Sequence, residues 1–309
     1  MRRKVTVGTR DSALALWQTR WVIGQLEKQH PEVTFEVVEM KTKGDKMLDV
    51  ALAKIGDKGL FTKELEIAMQ NKEIDFAVHS LKDMPTALPE GLTIGAVCKR
   101  DNPGDALVSK DGRKLSQLPR GARIGTSSLR RCAQLLSYRP DLQLESLRGN
   151  LNTRMKKLAA ERLDGIILAA AGIIRMGWED MIAEIIPFNI CLPAVGQGAI
   201  SVECREDDRD ILEMLKTIEH SETRVATDAE RSLLRHLEGG CQVPIGAYGQ
   251  VKNKRLTLSA LVSTLDGSQV LRTQGEAEID GAKALGIEVA EKLLTMGGKE
   301  ILQKVRSGE

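Results

Sequence analysis

Strand-like and helix-like segments alternate through the first two thirds of this chain, and no other feature restricts its fold as strongly. Residues 4–7 read as a short strand. Ser12 is placed to cap a helix reaching His30 and Pro31, with Ala13, Leu16, Trp17 and Trp21 on one side at helical spacing. Residues 33–37 alternate as a strand does, 61–71 have helical spacing, and 74–78 return to strand. Such an order implies a parallel sheet covered by helices.

A charged, Pro- and Gly-containing stretch at 98–104 interrupts the alternation and marks a domain crossing. Beyond it the pattern resumes: strands at 106–108, 123–125, 142–147 and 165–170, and helices at 129–138 and 151–162. A second crossing is expected at 192–198, after which 199–203 forms a strand suited to rejoin the first domain. From about residue 221 the pattern changes to a long helix, a Gly239-Gly240-Cys241 turn, strands at 256–262 and 269–275, and a helix at 282–296. That order describes a separate α+β domain. The expected division is 1–98 with 198–217 as domain 1, 99–197 as domain 2 and 218–309 as domain 3.

The first two domains echo one another. Val7-Gly8-Thr9 leads to Ser12 and a helix; Ile124-Gly125-Thr126 leads to Ser127, Ser128 and a helix. Six positions do not establish duplication. They do place hydroxyls where a strand hands over to a helix N-terminus, whose free N–H groups and dipole favour an anion.

Composition excludes several function classes. The net charge of +2 and the 3% aromatic content give neither a basic face nor stacking platforms for nucleic acid. The most apolar stretch, 165–174, is about half of a bilayer span. Met1-Arg2-Arg3-Lys4 runs into the first strand with no hydrophobic leader, so a cytoplasmic protein is expected. Cysteines 98, 132, 191, 204 and 241 include no C-x-x-C pair, and neither a disulfide framework nor a metal site follows.

Anion chemistry must therefore come from placement. Arg10 follows the first Gly-Thr turn, Arg130 and Arg131 open the helix after the second, and Arg148 and Arg154 flank the next helix start. Arg175 is expected in a loop. These positions gather at strand ends, where open α/β sheets bind ligands, and planar guanidinium forks suit carboxylates or phosphates. The alternative for any one of them is a solvated surface arginine. His79, Ser80, Lys82 and Asp83 end a buried strand. A carboxylate there can stabilise a developing cation or shuttle a proton, although Lys82-Asp83-Met84-Pro85 also suits a plain turn. His79 reads as a structural histidine. Lys54, Lys58 and Phe61 lie in or beside a Gly-containing stretch that either covers a cleft or merely connects elements. Cys241, after two glycines, is an accessible-looking thiol.

Taken in order, Gly8-Thr9-Arg10 with Ser12, Gly59-Leu60-Phe61, His79-Ser80-Leu81-Lys82-Asp83-Met84-Pro85, Gly125-Thr126-Ser127-Ser128-Leu129-Arg130-Arg131, Leu147-Arg148-Gly149-Asn150, Leu192-Pro193-Ala194-Val195-Gly196-Gln197-Gly198 and Gly239-Gly240-Cys241-Gln242-Val243-Pro244 resemble the porphobilinogen deaminase (hydroxymethylbilane synthase) family. Asp57 departs from it, standing where many members carry a second glycine. The resemblance implies two similar α/β domains with mixed, mainly parallel sheets, like two-domain periplasmic binding proteins, plus a C-terminal α+β domain. It implies a monomeric transferase of tetrapyrrole (heme) biosynthesis. Four porphobilinogen molecules would join head to tail on a dipyrromethane cofactor held by a thioether to Cys241, with loss of ammonia and hydrolytic release of hydroxymethylbilane. Asp83 would be catalytic. Arg10, Ser12, Lys82, Thr126, Ser127, Ser128, Arg130, Arg131, Arg148, Arg154 and Arg175 would hold the pyrrole carboxylates. A solute-binding module without chemistry is the rival, and it predicts no covalent adduct.

Overall fold

The computed structural model describes residues 3–42, 44, 59–160, 162–239 and 243–307. Lys54, Asp57, Lys58 and Cys241 lie outside the described residues. Contacts divide the chain into two compact units, Met1–Asp101 with Ala199–Arg224, and Asn102–Gly198 with Val225–Glu309.

The first unit is built on β1 (Arg3–Arg10), α1 (Ala13–Gln29), β2 (Val33–Met40), α2 (Lys63–Gln70), β3 (Phe76–Ser80) and β4 (Leu92–Val97). The sheet order is β2-β1-β3-β10-β4, where β10 (Ile200–Arg205) returns from beyond the second crossing to lie between β3 and β4. β2, β1 and β3 run parallel; β10 is antiparallel to both of its neighbours.

Helices cover this sheet on both faces. Val22, Ile23 and Leu26 of α1 pack with Val5, Val7, Phe76 and Val78, while Leu65, Ala68 and Met69 of α2 pack with Ile74, Ala77 and Leu92. The α1 face differs from the sequence expectation. Ala13 is exposed and Trp17 and Trp21 are half-buried, whereas Gln18, Thr19, Val22, Ile23 and Leu26 turn inward. Trp17 and Trp21 pack at the margin of the same core, and on the inward face Gln18 Nε2 donates to Ser80 Oγ at 2.9 Å, tying α1 to the end of β3.

The second unit begins with β5 (Asp105–Ser109), β6 (Arg123–Gly125), α3 (Leu129–Tyr138), β7 (Gln143–Glu145), α4 (Leu151–Ala160), β8 (Gly165–Ala169), α5 (Ala170–Arg175) and β9 (Glu184–Ile185). Its sheet order, β7-β6-β8-β5-β9, repeats the logic of the first. β7, β6 and β8 are parallel, and β5 is antiparallel to β8 and β9. Arg175 is therefore not in a loop, as the sequence suggested; it ends α5 and is buried. After α6 (Arg209–Lys216), which covers the first sheet, come α7 (Ser221–His236), β11 (Ile245–Lys252), β12 (Arg255–Ser263), β13 (Val270–Glu278), α8 (Ala282–Leu293) and α9 (Lys299–Ser307). β11, β12 and β13 form an antiparallel sheet whose buried residues make a core of their own with α7, α8 and α9.

The 192–198 segment is tied down within the second unit by side chains that reach its backbone. Arg130 Nη1 donates to the Leu192 carbonyl at 2.7 Å, and the Leu192 N–H donates to Gln134 Oε1 at 2.7 Å. Glu230, fully buried on α7, accepts from the N–H of Gly196 and of Gly249, each at 2.7 Å. One carboxylate thus joins the segment to β11. We expect Glu230→Leu, which preserves bulk but leaves both donors without that acceptor, to cost roughly 3–5 kcal/mol. The urea unfolding midpoint reads this, and an unchanged midpoint would contradict the bridging role.

Candidate functional site

Parallel pairing decides where the chemistry of the first unit collects. β1 and β3 are in register with Val7 opposite Phe76 and Gly8 opposite Ala77. Both strands therefore end at the same sheet edge, β1 at Arg10 and β3 at Ser80. Gly8 sets the spacing to α2, since a Cβ there would lie 2.3 Å from Ile74 Cδ1 and 2.8 Å from Leu65 Cδ2.

Ser12 caps α1, its Oγ accepting from the Ala15 N–H at 3.3 Å. After β3 a single 3-10 turn, Leu81–Asp83, is anchored at its start and closed by its own hydrogen bond. The Leu81 N–H donates to the Ala199 carbonyl at 3.0 Å, and the Met84 N–H to the Leu81 carbonyl at 3.1 Å. Lys82 and Asp83 stay half-buried on this turn.

Arg10, Ser12, Phe61, His79, Ser80 and Asp83 then line one cavity of about 60 Å³. The Arg10 guanidinium stacks over the Phe61 ring, 4.4 Å from its centroid, so Phe61 braces a cation in the cavity wall. A larger concavity of about 550 Å³ at Arg120, Arg139, Pro140 and Asp141 has less chemistry to offer. There Asp141 accepts from Arg139 Nε and Nη2, each at 2.7 Å, while three backbone carbonyls take further Arg139 donors.

The second unit repeats the arrangement at β6. Thr126, Ser127 and Ser128 follow the strand, and Ser128 caps α3 by accepting from the Arg131 N–H at 3.4 Å. Ser127 Oγ donates to the Leu147 carbonyl at 2.8 Å, tying this turn to the one after β7. Arg148 and Arg154 are half-buried there, with Arg154 Nε donating to the Gly149 carbonyl at 2.8 Å. Because β7, β6 and β8 are parallel, Arg148 after β7, the hydroxyl turn after β6 and Arg175 after β8 all follow strand carboxyl ends on one edge.

Arg130 and Arg131 differ from the expectation of forks open to ligand. Both are buried, and both are held by Asp105, the fully buried first residue of β5. Arg130 Nη1 lies 2.7 Å from Oδ2 and Arg131 Nη2 2.6 Å from Oδ1. Gln197 Nε2 donates to Oδ1 at 3.0 Å and Cys191 Sγ to Oδ2 at 3.3 Å. Arg131 Nη1 is taken by the Ile167 carbonyl at 2.9 Å. Burial alone would raise the Asp105 pKa, but the charges of Arg130 and Arg131 outweigh it and hold the carboxyl well below the usual range. The Cys191 thiol goes the other way: burial, reinforced by Asp105 and opposed by both arginines, pushes it up to about 12. The sequence reading missed Asp105. Its signal was a charged residue opening an otherwise apolar buried strand.

A folded-state pKa below the unfolded one means that Asp105 stabilises the protein above its unfolded value of about 3.9, and that this stability fades as pH falls toward the folded value. Asp105→Asn leaves two buried guanidinium groups under-compensated and should cost roughly 3–5 kcal/mol at pH 7. The gap from wild type should narrow below about pH 4, as the wild-type carboxyl begins to lose that advantage. Thermal unfolding across pH checks both statements; a gap independent of pH would refute the electrostatic account.

Comparison with known proteins agrees with the resemblance. The family model described as porphobilinogen deaminase, dipyromethane cofactor binding domain, matches residues 5–213, and that described as porphobilinogen deaminase, C-terminal domain, matches 225–295. The porphobilinogen deaminase of Desulforamulus reducens is 80% identical over 309 residues, covering 100% of both chains. That of Carboxydothermus hydrogenoformans is 60% identical over 306 residues, covering 99% of this chain and 98% of the relative. Among solved structures, the Bordetella pertussis BvgS VFT2 domain matches with a TM-score of 0.44 at 13% identity, over 70% of this chain and 86% of that one.

Proposed function

The chain belongs to the porphobilinogen deaminase family, and from that membership we propose which of its residues carry each part of the reaction. It is a transferase of tetrapyrrole biosynthesis that joins four porphobilinogen molecules, with loss of ammonia, into hydroxymethylbilane. The observation that carries the residue-level reading is the convergence of Arg10, Ser12 and Asp83 on one cavity at the ends of two adjacent parallel strands.

Asp83 is the catalytic carboxylate. Loss of ammonia from porphobilinogen leaves a cation, and a carboxylate on a turn anchored to the start of β10 stabilises that charge with little reorganisation. It also accepts the proton that carbon–carbon bond formation releases. Arg10, braced by Phe61, and Lys82 beside Asp83 offset the negative charge that pyrrole carboxylates bring.

Dipyrromethane fits the donors that the chain presents. Its acetate and propionate groups call for hydroxyls, helix N-termini and guanidinium forks, and the half-buried Ser127, Ser128, Arg148 and Arg154 provide them around the start of α3 and α4. When bound, this group supplies the nucleophilic pyrrole carbon from which the product grows. Thr126 and the buried Arg130, Arg131 and Arg175 frame this surface.

Cys241 is the attachment point in this reading, through a thioether that leaves no free thiol. Supporting it, Cys98, Cys191 and Cys204 are buried, and burial raises the partly buried Cys132. We assign the 1–98 and 198–217 segments to a catalytic domain, 99–197 to a carboxylate-binding domain and 218–309 to the domain that presents Cys241. The enzyme is taken as a cytoplasmic monomer; no helix among the described residues is long and apolar enough to cross a membrane.

Intact mass with peptide mapping tests the attachment. The purified enzyme should exceed its bare chain by a dipyrromethane on the Cys241 peptide, and Cys241→Ser should have the bare mass; a native enzyme of bare mass would overturn the assignment. Asp83→Asn should keep the adduct while losing roughly 10²–10⁴-fold in turnover. Near-normal ammonia release in a single turnover would remove Asp83 from the mechanism.

A further inference from the structure

A second polar cluster lies behind the Asp83 cavity, on the α2 side of the first sheet. Cross-strand register sets His79 opposite Ser201 and Ala77 opposite Glu203, so these four side chains share one face. Ala77 on that face packs with Leu65, Met69 and Leu92. The polar side chains therefore interrupt an apolar layer. Glu66 and Thr62, at the start of α2, are buried with them.

This cluster is poorly satisfied. Glu203 is fully buried and His79 is 5% exposed. His79 Nε2 lies 3.0 Å from Glu203 Oε2 but without hydrogen-bond geometry. Both Glu203 oxygens, His79 Nε2 and Ser201 Oγ are buried with no hydrogen-bond partner among the described residues. Burial raises the Glu66 carboxyl; the Thr62 hydroxyl opposes this and the nearby Glu203 charge adds to it.

Apolar side chains of equal volume would fill such a layer as stably as an ion pair does. Packing alone thus does not account for a histidine and two glutamates here. His79 is the member of the cluster that also lines the cavity with Asp83. A structural role leaves one feature open: Glu203 lies 3.0 Å from its Nε2, yet no hydrogen bond forms there among the described residues.

We propose, on the reading of the Asp83 cavity as the place of reaction, that His79 and Glu203 form a buried proton couple serving Asp83. Glu203 is the positioning residue: its Oε2, 3.0 Å from Nε2, holds the imidazole by charge, and a small rotation of the ring completes the N–H···O bond along which one proton is shared. That proton has two placements, imidazolium with carboxylate or imidazole with carboxylic acid, and neither creates net charge in the apolar layer. At each condensation one C–H bond of a pyrrole ring breaks, its electron pair returns to the ring, and the proton passes to Asp83. His79 gives the couple's proton to the departing ammonia, which leaves as ammonium, and recovers one from Asp83. Asp83 is neutralised as the couple loses its proton, so the total charge of the site stays constant. The titratable groups that act on the couple or line the cavity with it include Glu66 from α2, itself facing Lys63, Cys204 beside Glu203 on β10, Asp83 from the turn after β3, and Arg10 from β1.

The test is Glu203→Gln in the cofactor-loaded enzyme. Turnover should fall roughly 10²-fold, KM for porphobilinogen should hold within about twofold, and the pH profile of kcat should lose an ionisation that Glu203→Asp restores. A lower Tm with the wild-type pH profile and normal kcat in the folded fraction would make Glu203 a packing residue and overturn the couple. If Glu203→Gln does not fold, ¹⁵N NMR of the histidine rings in the native holoenzyme decides instead. The His79 Nε2 signal should report a shared proton and shift in Asp83→Asn; a fixed neutral tautomer, indifferent to Asp83→Asn, refutes the proposal. Normal turnover in Asp83→Asn would instead mean that the cavity is not the reaction site, whereas an inactive Asp83→Asn beside an unaltered Glu203→Gln profile would leave the cavity reading intact and remove only the couple.

Discussion

Parallel strand pairing is the constraint on which the rest of this protein depends. Two adjacent parallel strands finish at the same edge, and each continues into a turn or helix start with unused N–H donors. In the first sheet this brings Arg10, Ser12 and the Leu81–Asp83 turn together; in the second it brings the Thr126–Ser128 turn alongside Arg148 and Arg175. Had β1 and β3 been antiparallel, Arg10 and Asp83 would lie at opposite ends of their strands. The antiparallel β10 adds something different. Arriving late in the chain, it sets Ser201 and Glu203 beside a strand made more than a hundred residues earlier.

The buried carboxylates of the two units do different work. Asp105 is saturated: two guanidinium groups, an amide and a thiol all direct donors at it, and its charge is kept. It turns Arg130 and Arg131 into structural members of the sheet edge, whatever else their remaining donors bind. Arginine suits this double use because its planar fork carries more donors than one carboxylate can take. Glu203 is the opposite case, enclosed, unsaturated and beside a histidine.

The architecture was largely legible in the sequence because a folded layer imposes a period on its residues. The strand 123–125 and the helix 129–138 agree with the structure to the residue, and the helix after Ser12 ends within two residues of where it was expected. Other elements were missed. β4 and β11 carry glycines and small residues that blunt their alternation, and α5 is too short to show a period. The inward face of α1 was misjudged because hydrophobicity points to Trp17 and Trp21. In the fold these two sit at the margin of the core, while Val22, Ile23 and Leu26 enter it and Gln18 meets Ser80, 62 positions away.

By itself the sequence determined the family, the order of the elements and the residue types available for anion and proton chemistry. All of these are written in local spacing and in motifs of neighbouring residues. Tertiary structure alone decided that Asp83 shares a cavity with Arg10, that Asp105 claims Arg130 and Arg131, and that His79 meets Glu203. Those partners stand from 25 to over 100 positions apart along the chain. No spacing rule reaches so far, because such a contact exists only once sheet order and register have been set by the burial of other residues.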